Sequence, residues 1–289
     1  MKARTLTSVV YVIVVAALCA AKWLIPQGYG ALLFDALFLV IAAVGAFEAI
    51  RAFGCVSLLQ RAVAITFSAL AVPFYALFAM LLGAGGWPGA AVALGAGAVI
   101  VCILFVADHS RSDLKSTLGA LFVLVYCGLL TAVLSAVNHM EYNSMLAILV
   151  LFICVPFTDA AAFLTGISIG KRLSLKLAPS VSPHKTVAGA IGGLIGGIAG
   201  GVAAYYLYVV LGGEVVLSTA LPGWAFAIIV GFAASVAAQF GDLFESALKR
   251  SVGVKDMGNL LPGHGGVLDR FDGTLFAGIV VLLAFIFVV

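Results

Sequence analysis

Apolar residues run through this chain in long blocks broken by short polar stretches. A helix that crosses a bilayer needs about 20 mostly apolar residues. Nine stretches of that kind can be counted, at 6–25, 31–52, 62–83, 88–107, 117–137, 144–168, 187–211, 222–244 and 271–289. The alternating polarity of a membrane barrel is absent, which leaves helices as the backbone solution in lipid. The pattern predicts an all-α, polytopic integral membrane protein with about nine transmembrane helices.

Composition agrees with that class. Of the 289 residues, 64% are hydrophobic and 9% charged, and the mean hydropathy is +1.24; soluble domains are about 25% charged. Charge adds an orientation. With Lys2 and Arg4 inside, 14 of the 15 Lys and Arg residues fall on the inner side of a nine-span chain, and only Lys22 lies opposite. The positive-inside rule therefore predicts the N-terminus inside and the C-terminus outside. No small-residue cleavage site cleanly ends the first apolar stretch, so it reads as an anchor rather than a signal peptide. Topology accounts for the basic residues, so the net charge of +3 does not point to nucleic acid. Cys19, Cys55, Cys102, Cys127 and Cys154 are spaced for neither a disulfide framework nor zinc, and read as small core residues.

Two regions differ in chemistry, an N-terminal membrane region over 1–141 and a C-terminal one over 142–289 with inner loops 169–186 and 245–270. In the first, Glu48 is read as pairing with Arg51 near the inner surface, and Asp35 as reaching the outer interface. In the second, Asp159 stands well inside an apolar run, where a charge costs on the order of 2.5–3.5 kcal/mol and so calls for a polar cavity or a partner. Gly166 and Gly170 follow at i+7 and i+11, on the same helix face. Span seven carries two glycine ridges, Gly189-Gly193-Gly197-Gly201 and Gly192-Gly196-Gly200. These are small-xxx-small patterns for close helix packing, within the chain or in a homodimer.

The loop 170–186 holds four basic residues and no acid, as topology and anionic headgroups would ask. The segment 242–272 is different: it concentrates nine of the chain's 27 charged residues (15 basic, 12 acidic), five of them acids that topology does not need. If span eight continues as a helix past the membrane edge, Asp242, Glu245, Ser246 and Lys249 share one face, and Asp269 and Asp272 stand at i and i+3 at the start of span nine. Between them lies Pro262-Gly263-His264-Gly265-Gly266, whose glycines can present backbone N–H groups to an anion. Carboxylates, cations and backbone donors together suit a Mg²⁺–polyphosphate complex. Helix caps and a Glu245–Lys249 pair are the plainer use of the same residues.

The string Ser246-x-Leu248-Lys249-Arg250, Lys255-Asp256, Gly258, Leu261-Pro262, His264-Gly265-Gly266 and Asp269-Arg270-x-Asp272 resembles the signature of the CTP:phosphatidate cytidylyltransferases, the CDP-diacylglycerol synthases, at each defined position. Asp159 with Gly166 resembles the family's membrane-embedded aspartate segment. Ser182-Pro183 with Lys185-Thr186-Val187 and Gly189 resembles a further motif, from which His184 (usually lysine) and Ala188 (usually glutamate) depart.

The resemblance implies an enzyme in which the phosphate of phosphatidic acid attacks the α-phosphorus of CTP, giving CDP-diacylglycerol and pyrophosphate, with no covalent enzyme intermediate. It implies Mg²⁺ held by Asp242 and Asp269, with a second cation as an option, and Asp272 as a further ligand or orienter. Lys249, Arg250, Lys255 and Arg270 would hold phosphates. Ser246 would donate a hydrogen bond, and His264 would either do so or shape the turn. Gly265 and Gly266 would present N–H groups, Asp159 would polarise the cleft, and Lys171 and Lys185 would grip the lipid headgroup. The place implied is a bacterial inner membrane, with the site on the cytoplasmic face. Two other readings are a CTP-dependent polyprenol or dolichol kinase, transferring the γ-phosphate, and an ion-coupled transporter using Asp159 and Asp242. The unlike halves, which lack an inverted repeat, argue against the transporter.

Overall fold

The apolar blocks become helices, each satisfying its own backbone where lipid offers no hydrogen bonds. The computed structural model describes residues 2–25, 29–55, 57–82, 85–108, 113–170, 175–260 and 265–288. Among the described residues there are nine helices: α1 (Lys2–Leu24), α2 (Tyr29–Ala52), α3 (Leu58–Leu82), α4 (Trp87–Ala107), α5 (Leu114–Asn138), α6 (Ser144–Gly170), α7 (Val187–Val210), α8 (Gly223–Ser251) and α9 (Leu268–Val288). Eight of them, α2 to α9, are long and apolar enough to cross a membrane, and the apolar part of α1, Val9–Leu24, is shorter. This is an all-α, multi-pass integral membrane protein. The one sheet among the described residues is an antiparallel hairpin, β1 (Lys176–Ala178) with β2 (Ser182–Thr186), pairing Lys176 with Thr186 and Ala178 with Ser182.

The chain forms two compact units, Met1–His139 with Val252–Phe271, and Met140–Ser251 with Asp272–Val289. In the first, Phe34, Phe38, Ile41 and Leu134 are fully buried. Asp35 lies in that interior, 5% exposed. It accepts from Ser135 Oγ (2.7 Å) and Asn138 Nδ2 (3.2 Å), and His139 Nε2 lies 2.6 Å from its other oxygen. Lys22, the one basic residue that orientation leaves unexplained, donates to the backbone O and Oδ1 of Asn138 at 2.7 and 2.9 Å. A charge buried in a bundle persists when it is paired and hydrogen-bonded, and here α1, α2 and α5 supply the partners.

In the second unit, α7 packs against α6 and α8. Thr186 caps α7, accepting from Gly189 N at 3.0 Å. Both glycine ridges of α7 are buried within this chain. A Cβ on Gly197 would lie 2.7 Å from Ser235 Oγ on α8 and 2.8 Å from Thr158 Oγ1 on α6, so only glycine fits there. The closeness lets side chains bond across helices: Thr158 Oγ1 donates to Ser235 Oγ (3.0 Å), which donates to the Gly193 carbonyl (3.0 Å). α6 ends in a π-helical turn over Gly166–Gly170. All five cysteines are free. Cys55, Cys127 and Cys154 are buried, but Cys102 is exposed on α4, so the core reading fails for it: a thiol is apolar enough to face outward from a lipid-compatible helix.

Candidate active site

The second unit holds a cavity of about 660 Å³ against the hairpin. Asp159, Gly166 and Gly170 of α6 line it, as helical spacing places them on one face. Gln239 and Asp242 of α8 line another side, about one helical turn apart. The hairpin adds Lys176, His184 and Lys185, while Phe163, Ile167 and Leu177 give apolar wall. Cationic and carboxylate groups beside apolar side chains are what a charged headgroup with a greasy tail requires. Lys185 forms an ion pair with Asp242, the two side chains 27% and 40% exposed. At that exposure the pair adds at most about 1 kcal/mol, so a ligand can compete for either partner.

α8 runs on as a helix to Ser251, past the apolar block that ends near 244. Glu245, Ser246 and Lys249 follow Asp242 along it. Glu245 is fully buried and accepts from Lys249 Nζ at 3.0 Å, so the plainer salt-bridge use is real for this pair. Asp272 of α9 is 9% exposed and close enough to Glu245 and Asp242 to feel both charges. Arg250 is exposed and donates through Nε to the Val181 carbonyl in the hairpin turn at 3.4 Å. Gln239 Nε2 donates to the Ala190 carbonyl (3.3 Å) and Ser235 Oγ (3.4 Å), tying the cavity wall to the helix core.

In the first unit, Asp269 stands in the first turn of α9. Its Oδ2 accepts from Gly266 N (2.8 Å) and Met257 N (3.0 Å). Gly265 adopts φ +84°, a left-handed conformation that favours glycine, and a Cβ there would stand 2.9 Å from Asp269 Oδ2. Lys255, Asp256 and Arg270 are exposed. Glu48 of α2 is 4% exposed, and its carboxylate is taken up by backbone N–H groups of Val267 and Leu268 rather than by Arg51. The surface pairing expected for it is therefore wrong: the starts of helices carry unsatisfied N–H groups, and these outcompete an exposed guanidinium.

The structure thus brings Asp159, Lys185 and Asp242 to one cavity, and Glu245, Lys249 and Asp272 together beyond it, within the second unit. Asp269, Gly265 and Gly266 meet in the first. Lys171 and His264 lie outside the described residues. Sequence reasoning missed Lys176, His184 and Gln239 as lining residues; only Gln239 carried a signal, as an amide inside an apolar span. Among the described residues, no three His, Cys, Asp or Glu side chains group as a metal site.

Comparison with known proteins gives these groups a context. The model of the Cytidylyltransferase family matches residues 2–288. The chain is 36% identical over 153 residues to the phosphatidate cytidylyltransferase of Bacillus subtilis strain 168, covering 53% of this chain and 52% of that one. To the phosphatidate cytidylyltransferase of Brucella suis biovar 1 it is 40% identical over 161 residues, 55% of this chain and 54% of the relative. To that of Helicobacter pylori strain J99 it is 32% identical over 278 residues, 96% of this chain and 89% of the relative. Two of these matches take in about half of the relative, and the third runs nearly from end to end. With a family match along almost its whole length, the chain belongs to the cytidylyltransferase family.

Proposed function

We propose that this chain is a phosphatidate cytidylyltransferase, a membrane nucleotidyltransferase that makes CDP-diacylglycerol and pyrophosphate from CTP and phosphatidic acid. The observation that carries the reading is the cavity lined by Asp159, Asp242, Lys176 and Lys185 beside Phe163, Ile167 and Leu177, in a chain of this family. An oxygen of the lipid phosphate forms a bond to the α-phosphorus, and the bond to the bridging oxygen breaks, its electron pair leaving with pyrophosphate. Such a transfer needs positioning and charge neutralisation rather than a protein nucleophile.

The donor set fits a divalent ion of the Mg²⁺ type. Asp272 is buried beside Glu245 and near enough to Asp242 to feel its charge. Lys249 pairs with Glu245 and Lys185 with Asp242, so three carboxylates share two lysines, which suits a further cation. Mg²⁺ characteristically takes one or two carboxylates and completes its shell with phosphate oxygens and water. Asp242 and Asp269 are the proposed ligands, with Asp272 orienting them or joining them, and a second cation, monovalent or divalent, is part of the proposal. A bound ion would neutralise triphosphate and pyrophosphate charge. Lys249, Arg250, Lys255 and Arg270 bind phosphates, Ser246 and His264 donate hydrogen bonds, and Gly265 and Gly266 offer backbone N–H groups. Lys185, with Lys171, holds the headgroup, and Asp159 polarises the cavity.

The proposed setting is a bacterial inner membrane with the N-terminus and the site on the cytoplasmic face, where the soluble nucleotide meets a lipid. Residues 1–141 then serve as an N-terminal membrane region and 142–289 as the catalytic one. A homodimer is a further expectation about partners; the ridges of α7 lend it no support, because α6 and α8 already cover them. The test is purified protein with phosphatidic acid, Mg²⁺ and CTP labelled at the α-phosphate. The native chain yields labelled CDP-lipid, and Asp269→Asn loses at least about a hundredfold in kcat, on the scale of one electrostatic group removed from a transition state. A folded Asp269→Asn chain with full activity would overturn the assignment.

A further inference from the structure

The first unit contains a carboxylate that the roles above do not use. Glu48 sits near the end of α2, an apolar helix of 24 residues, and is 4% exposed. A charge in that position is expensive unless it is bonded. Both of its oxygens are engaged: Val267 N donates to Oε1 at 3.1 Å, and Leu268 N to Oε2 at 3.0 Å. These partners lie 219 and 220 residues away in sequence. They are the N–H groups at the entrance to α9, where unsatisfied donors and the helix dipole favour a carboxylate.

The fit is close on the loop side as well. A Cβ on Gly258 or on Gly266 would run into the Glu48 carboxyl group. Asp269 clasps the same loop from within, accepting from Met257 N and Gly266 N at 3.0 and 2.8 Å. The backbone N–H groups of Met257, Gly266, Val267 and Leu268 are thus held by two carboxylates. One belongs to the signature itself and the other to α2.

We infer that Glu48 is a positioning residue for cytidylyl transfer, fixing the entrance of α9 and so the placement of Asp269 and Arg270. The chemistry named here rests on the function proposed above; the clasp itself rests on the geometry alone. Glu48→Gln preserves shape but leaves one N–H facing an amide NH₂, and it removes the charge from both bonds. A charge-assisted bond is worth about tenfold or more in an equilibrium, and an ångström of misplacement costs about a hundredfold in rate.

The experiment measures two things on the purified 289-residue chain in detergent, as monodisperse material. Amide exchange at Met257, Gly266, Val267 and Leu268 is expected to quicken about tenfold or more in Glu48→Gln, with α3 and α4 unchanged. kcat at saturating CTP and phosphatidic acid is expected to fall about tenfold to a hundredfold, with KM for CTP within about threefold. A part that merely stabilises the fold would leave kcat of the folded protein intact. Should Glu48→Gln give no folded protein, Gly258→Ala carries the test, since its methyl displaces the same carboxylate without altering α2, and the same two changes are expected. Unchanged exchange overturns the inference, and so does quickened exchange with native kcat. If the native chain transfers no cytidylyl group, the functional reading fails by itself, and the exchange result still decides whether Glu48 holds the loop.

Discussion

Individual residues differ in how far the sequence makes them legible. A carboxylate in an apolar run is visible by its cost, so the sequence by itself places Asp159 on a polar face, and Asp159 does line the cavity with Gly166 and Gly170. The partners of Asp35 and Glu48 are not visible in that way. Those of Asp35 come from α5 and the residue after it, about 100 residues on, and those of Glu48 are backbone N–H groups, which every residue but proline carries alike. At this scale the ion pair of Lys185 with Asp242 makes a prediction. Lys185→Ala should raise KM for phosphatidic acid about tenfold, the loss expected for one charge-assisted contact, while thermal stability hardly changes because the pair is partly exposed. Steady-state kinetics beside a thermal melt checks this, and an unchanged KM would remove Lys185 from the headgroup site.

Elements follow from hydropathy with little loss. The helices begin and end within a few residues of the apolar blocks, except α8, whose last turns beyond 244 are polar and are announced only by the shared face of Asp242, Ser246 and Lys249. The hairpin is indistinguishable from a plain basic loop in the sequence: strands of three and five residues are too short to show a period. The ridges of α7 announce close packing but not the partner, which proves to be α6 and α8 of the same chain. Overpacking costs about 1–3 kcal/mol, and Gly197 has side chains of both neighbours against it. Gly197→Leu should therefore lower stability to heat or denaturant by at least that amount and reduce activity. Ile195→Leu, at a position that is 64% exposed, should change neither. Equal melts for the two variants would mean that the ridge is not the tight contact.

At the scale of the whole molecule, the signature 246–272 is divided by the fold: its first residues to Ser251 and its final Asp272 belong to the second unit, and Val252–Phe271 to the first. The N-terminal spans, featureless by composition, thereby acquire a part through Glu48. The sidedness proposed for the basic residues would suit the proposed catalysis on one membrane face, where a water-soluble triphosphate and a membrane-held phosphate can meet. That meeting has one chemical outcome that separates cytidylyl transfer from phosphorylation by CTP. The decisive measurement follows CTP labelled either at the α- or at the γ-phosphate into the lipid product of the purified native chain. Label from the α-position should enter the lipid while γ-label leaves as pyrophosphate; γ-label in the lipid, or none from either position, would contradict the account.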